Sequence, residues 1–228
     1  MFVEKHPHPS PITRMLVMGI SDGTIGMVVL ITSLSALHAT SELIIITGLA
    51  YMLSGVISMT ITTYLFLNSE KHTLQDDIDR EGLEIETEPE EEKQELRDIF
   101  KQEGYSAEAS ERMLTAITKD KDTWLRAQLK FELNKAIESV TSPIKHDIMG
   151  VGIGFSVSSL ALLPFALKVP DAALIGLMVG AVVLFITSST NLSWRFNSLK
   201  HGVKVTALVI AVVVFLYLTV HLTGVGFS

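Results

Sequence analysis

Two groups of carboxylates stand out by where they lie in the chain. Asp22 is the only acid well inside an apolar run, about two turns past Arg14. A lone carboxylate in hydrocarbon is costly, so it is expected to face the interior of a helix bundle and to serve a purpose. A carboxylate so placed is balanced between its charged and neutral forms and holds either a proton or a metal ion. Exchange of one for the other is the minimum chemistry of a proton-coupled cation carrier. The alternative is a structural carboxylate bonded to a neighbouring Ser or to backbone within Gly19-Ile20-Ser21-Asp22-Gly23. The second group is two pairs, Glu81 with Glu84 and Glu92 with Glu95. Three-residue spacing puts both members of a pair on one helix face, where they repel unless a cation sits between them. Hard oxygen ligands suit Fe2+, Mn2+ or Mg2+. In so acidic a segment such pairs also arise as a plain solvated face. Met59 lies near the middle of another apolar run. Its thioether suits borderline or soft metals, although a Met in such a place is commonly core filler. Beside Asp22 it makes a mixed oxygen and sulfur site suited to Fe2+-like ions.

The elements that must position these groups follow from hydropathy. The mean hydropathy of the 228 residues is +0.40, and the apolar residues come in long blocks. A helix needs roughly 20 mostly apolar residues to span a bilayer. Blocks at about 15–37, 43–67, 148–167, 171–192 and 203–225 qualify. Continuous runs without strict alternation favour helices over barrel strands. The first block is too long for a signal peptide, holds Asp22, and is followed at once by a second block, so it reads as a span. The spans carry small residues at four-residue spacing: Gly19/Gly23, Ser54/Ser58, Gly150/Gly154 and Gly176/Gly180. Such pairs allow close helix packing, either within one bundle or between two copies. Lys5 and Arg14 precede span one, and Arg195, Lys200 and Lys204 lie between spans four and five. By the positive-inside rule the N-terminus and the segment after span two are cytoplasmic.

That segment, residues 68–147, holds 21 of the 25 acidic residues, so the net charge of −7 belongs to one region. Its pattern is helical. Thr87-Glu88-Pro89-Glu90 reads as a helix start, with Thr87 as cap and Glu90 reaching back. Gly104 reads as a stop, and Ser106 begins another helix through Ala109, Met113, Ala116 and Ile117. A last helix is expected from about Asp122 towards Val140, with Pro143 marking the return to the membrane.

Several chemistries are excluded. The chain has no cysteine, which removes disulfides, thiolate zinc sites and iron–sulfur clusters within it. The seven histidines are scattered, with no His-x-x-x-His or Glu-x-x-His pair. There is no phosphate-binding glycine loop, nucleophile elbow or zinc-protease motif, so no enzyme is expected. An acidic domain without a basic patch excludes nucleic acid as a partner.

The order and spacing of several motifs carry a family resemblance. Span one has Gly19-Ile20-Ser21-Asp22-Gly23. Span two has Gly55-Val56-Ile57-Ser58-Met59, then Tyr64 and Ser69-Glu70. The acidic segment has Arg80-Glu81, Pro89-Glu90-Glu91-Glu92-Lys93-Gln94-Glu95-Leu96, Gly104, Trp124-Leu125 and Lys130-Phe131-Glu132-Leu133. Span three has Leu162-Leu163-Pro164. In these the chain resembles the vacuolar iron transporter family over almost its whole length. The resemblance implies five spans per protomer, a homodimer, a cytoplasmic helical metal-binding domain between spans two and three, and Fe2+ export from the cytosol in exchange for protons. It implies Asp22 and Met59 as intramembrane ligands and Glu81, Glu84, Glu92, Glu95 and Glu132 as ligands in the domain. The chain departs from the family pattern at three places. Gln128 and Leu129 stand where many relatives have two methionines. Tyr51 stands where a glutamate is frequent, and Thr62-Thr63 replaces a Gly-Gly or Gly-Glu pair. Fewer soft ligands widen the implied range from Fe2+ towards Mn2+ or other divalent ions.

The expectation is therefore an all-α polytopic membrane protein. Residues 1–67 form the N-terminal segment with spans one and two, 68–147 a cytoplasmic acidic helical domain, and 148–228 spans three to five. No tightly bound cofactor is expected; the ion is transported or regulatory, Fe2+ with Mn2+ or Zn2+ as alternatives. Protons, membrane lipid and a second copy are the expected partners, in the cell membrane of a prokaryote. The alternative is a non-transporting membrane metal sensor, or a protein whose acidic helices dock a partner.

Overall fold

The computed structural model describes residues 11–133, 144–190 and 196–223, which contain helices and no strand. The helices are α1 (Pro11–Ala36), α2 (Ser41–Thr87), α3 (Pro89–Gln102), α4 (Ala107–Ile117), α5 (Lys121–Phe131) and α6 (Ile144–Ser156). A 3-10 segment, Val157–Leu162, and the short α7 (Leu163–Ala166) continue α6. They are followed by α8 (Ala172–Thr190) and α9 (Phe196–Thr223). Five stretches are long and apolar enough to cross a membrane: Ile12–Ala36, the Ser41–Thr87 helix, Ile144–Ala166, Ala172–Ser189 and Leu199–Val220. The chain divides into two compact units, Met1–Tyr64 with Ile144–Ser228, and Leu65–Pro143. The division falls inside α2, whose apolar first half and acidic second half form one helix.

In the first unit, glycines set the packing. A Cβ on Gly19 would lie 2.8 Å from the Phe155 backbone nitrogen, and one on Gly23 2.8 Å from the Phe155 carbonyl oxygen. From the other side, a Cβ on Gly154 would meet the Leu16 carbonyl. α1 and α6 therefore touch backbone to backbone. Gly176 likewise faces the Ala161 carbonyl, and Gly180 faces Val28. Three of the four small-residue pairs thus act inside the bundle; Ser54 and Ser58 are exposed on α2. The 3-10 stretch precedes Pro164, which has no N–H and cannot continue an undisturbed α-helical ladder. Large apolar side chains such as Ile46, Leu53, Ile57, Leu208 and Phe215 point outward. So much exposed apolar surface is a liability in water and suits contact with lipid.

The helices of the second unit close on a core of Ile85, Leu96, Phe100, Leu114 and Trp124. The α3 stop is as expected: Gly104 has φ 88°, and Tyr105 N–H donates to the Phe100 carbonyl at 3.0 Å. Ser106 caps α4, accepting from Ala109 N–H at 3.2 Å. Two boundaries differ. Thr87 does not cap α3. It is the last residue of α2, and its hydroxyl donates back to the Leu83 carbonyl at 3.0 Å, a bond that competes with capping. Glu88 takes the cap position without a side-chain bond, Pro89 starts the helix, and Glu90 pairs with Lys93 at 2.6 Å instead of reaching back. α5 begins earlier than Asp122, because Asp120 accepts from Thr123 N–H at 2.9 Å. The expected extension to Val140 and the turn at Pro143 lie outside the described residues.

Gly154→Leu is expected to break the α1–α6 contact, with overpacking costing about 1–3 kcal/mol or more. Gly82→Ala, in a helix position where an added Cβ meets nothing within 4 Å, is expected to stabilise by up to about 1 kcal/mol. Thermal melting of the detergent-solubilised chain checks both; the two variants should move in opposite directions.

Candidate metal site

In three of the helices that build the second unit's core, α2, α3 and α5, a polar residue sits one turn from a core residue on the same face. Glu81 precedes Ile85 by four positions on α2, and Glu92 precedes Leu96 by four on α3. On α5, Gln128 follows Trp124 by four, and Glu132, its C-cap residue, follows Gln128 by four. The apolar stripe that joins the helices therefore carries these side chains to one place. One carboxylate oxygen each from Glu81, Glu92 and Glu132 lies within 4.8 Å of the others. Glu81 is 1% exposed and Glu92 5%; Glu132 is exposed. Glu92 also lies in the first turn of α3, whose positive end favours a carboxylate.

Few donors oppose this concentration of charge. Arg80 pairs with Glu81 at 3.1 Å, and its guanidinium also lies 3.7 Å from Asp77 and 3.8 Å from Glu84. The Gln128 amide nitrogen donates to Glu92 Oε2. Glu81 Oε2 is buried with no hydrogen-bond partner. An orphaned buried acceptor costs about 1–3 kcal/mol, a cost that a cation at the cluster would remove. Burial raises the Glu81 carboxyl, opposed by its bond from Arg80, while Glu84 and Glu95 add to the rise. Burial raises Glu92 as well, opposed by Gln128. Glu132 is pushed up to about 7, first by desolvation and then by Glu81, Glu95 and Glu92. Although its residue surface is open, its inner oxygen lies among the other carboxylates, and that field acts on it.

Of the five glutamates expected in the domain, the structure brings three together. Glu84 and Glu95 stay outside the group but contribute to its field. Asp22 and Met59 belong to the other unit. Asp22 does not face the bundle interior as expected. Gly19 and Gly23 take the packed face of α1, and Asp22 lies on its exposed face with Met18 and Ile25. No hydrogen bond or ion pair holds its carboxylate among the described residues, so the structural alternative has no partner there. Met59 is half-buried. The Tyr51 hydroxyl makes a long hydrogen bond, 3.5 Å, to the Asp22 backbone carbonyl and covers Gly26. Arg80 and Gln128 were not singled out as site residues from sequence. The signals were the four-residue spacings Arg80–Glu84 and Gln128–Glu132.

A carboxyl whose folded pKa lies above its ordinary value keeps its proton in the folded chain after the unfolded chain has lost it. Glu132 therefore makes stability fall as pH rises from its ordinary 4.5 towards about 7. The metal-free chain is expected to melt at a higher temperature at pH 5.5 than at pH 8. Added Mn2+ is expected to raise the melting temperature more at pH 8, where no proton need be displaced. Glu132→Gln should flatten both dependences; a larger Mn2+ effect at pH 5.5 would contradict the assignment.

A model of the VIT family matches residues 13–221. Vacuolar iron transporter 1 of Arabidopsis thaliana is 30% identical over 192 residues, which is 80% of this chain and 74% of that protein. Vacuolar iron transporter 2 of Oryza sativa subsp. japonica is 33% identical over 130 residues, 57% of this chain and 53% of its own length. Vacuolar iron transporter 1 of Tulipa gesneriana is 32% identical over 130 residues, with the same two shares. The match thus spans about half the length of the rice and tulip relatives. With nearly its whole length matched and its five membrane-spanning helices, this all-α polytopic membrane protein belongs to the VIT family.

Proposed function

We propose that this chain is a divalent-metal transporter that removes Fe2+ or Mn2+ from the cytosol in exchange for protons. The observation that carries the reading is the convergence of Glu81, Glu92 and Glu132 within 4.8 Å, with a buried carboxylate oxygen left unpartnered. An all-carboxylate set suits hard or borderline divalent ions. The names of the relatives, vacuolar iron transporters, agree with a metal of this class. In this reading residues 68–147 are a cytoplasmic domain that gathers the ion, with Glu84 and Glu95 strengthening its negative field.

Asp22 is the proposed carrier within the membrane. An exposed carboxylate in the middle of a span is costly against lipid, so that face of α1 is covered by a second copy or lines a water-filled path. A homodimer meets both needs, since two Asp22 carboxylates then share one ion and alternate between it and protons. Ser54 and Ser58, left free by the packing within the protomer, allow α2 to approach its partner closely. Met59 adds a thioether to the intramembrane set.

Flux into proteoliposomes tests the reading. Under a proton gradient the wild-type chain should move Mn2+ and Fe2+ with counterflow of protons, and Asp22→Asn should reduce flux to that of empty vesicles. Glu81→Gln should retain transport at saturating metal but require more metal to reach half its maximal rate. Undiminished transport by the Asp22→Asn chain would sink the role given to that residue. Metal binding without any transport would favour a sensor.

A further inference from the structure

Gln128 is wholly buried, at 0% exposure, yet its amide is only half satisfied. Nε2 donates to Glu92 Oε2, while Oε1 is shut from water with no donor. Glu81 Oε2 is orphaned in the same way. A cation at the group would satisfy Glu81 Oε2, whereas Gln128 Oε1 is orphaned at the other end of an amide whose nitrogen touches the group, and it reaches an ion there when the amide turns over. We infer that the amide oxygen of Gln128 is a fourth, uncharged ligand of this site and biases it towards hard divalent cations such as Mn2+ over Zn2+. This rests on reading Glu81, Glu92 and Glu132 as a metal site.

The chemistry follows from the two ends of the amide. Without a cation, Nε2 is the end that a carboxylate attracts, which is the arrangement observed. Half a turn about the terminal side-chain torsion exchanges nitrogen and oxygen. It presents Oε1 beside Glu92, an arrangement that is repulsive with the site empty and favourable with an ion in it. The four donors are then all oxygens. A neutral carbonyl raises the coordination number without adding charge. Mn2+, which takes about six oxygen ligands, gains more from this than Zn2+, which favours four-coordinate sites and nitrogen or sulfur donors. Among the described residues there is a competing partner. Trp124 Nε1, one turn back on α5, is a buried donor without an acceptor. If it takes Oε1, Gln128 merely positions Glu92, and loss of the amide weakens every ion alike.

Calorimetric titration of the full chain in detergent with Mn2+ and with Zn2+ decides between these. Gln128→Met is expected to weaken Mn2+ binding about tenfold or more while Zn2+ binding holds or tightens. Gln128→Glu should keep Mn2+ binding at least as tight as in the wild type. Gln128→Asn, which withdraws the oxygen by one methylene, should move the Mn2+-to-Zn2+ ratio in the same direction as Met and serves if the Met variant fails to fold. An equal loss for both ions, or no change in the ratio, overturns the inference and leaves the site standing. Wild-type chain that binds no Mn2+, or unchanged binding in Glu81→Gln, overturns the site itself.

Discussion

Like-charge repulsion at the end of a small apolar core governs the second unit. At 4.8 Å, two unit charges repel by roughly 3–4 kcal/mol when the effective dielectric is about 20. Three such pairs would drive the helices apart if all three glutamates were ionised. The folded chain limits the cost in two ways. Arg80 supplies one positive charge at Glu81, and all three carboxyls hold their protons more tightly than usual, first because they are desolvated and then because of one another. The core of Leu96, Phe100, Trp124 and their neighbours holds the helices in place while this happens. In the proposed role, a divalent ion that replaced protons here would turn the least favourable contact of the unit into a crosslink between α2, α3 and the end of α5.

The first unit solves a different problem. Lipid supplies no hydrophobic force between helices, so close approach must come from shape. Gly19, Gly23 and Gly154 allow α1 and α6 to meet through backbone. Because α1 spends its small residues on that contact, Asp22, next to Gly23, falls at its flank, beside Met18 and Ile25, and is left exposed. Its exposure follows from the helical period and needs no special device: packing selects which side of α1 is inside, and the carboxylate falls outside it.

The large features were legible because they rest on composition and periodicity. Five apolar blocks became five candidate spans, and Gly104 and Ser106 marked helix ends through local backbone chemistry that needs no tertiary partner. Where a local rule competed with a longer-range one, sequence reading slipped. Thr87 has the chemistry of a cap, but α2 runs through it. Asp22 has the chemistry of an interior group, but the face of a helix that is interior depends on the glycines around it. The glutamate pairs were visible as pairs. Their three-residue spacing could not show that one member of each, Glu81 and Glu92, points along the core stripe while Glu84 and Glu95 flank it, because that depends on where Ile85 and Leu96 go.

A site built from repelling carboxylates that hold their protons more tightly than usual would have a property that a set of fully ionised ligands would lack. An ion bound in the proposed way would have to displace protons, so its apparent affinity would depend on pH near the point where Glu132 titrates, about 7. For a protein proposed to hand an ion onward, this keeps binding reversible: a modest fall in local pH returns the protons and loosens the ion. The same repulsion that weakens the empty unit would therefore limit how tightly a loaded one held its metal. The apolar stripe that carries Glu81, Glu92 and Glu132 together sets both.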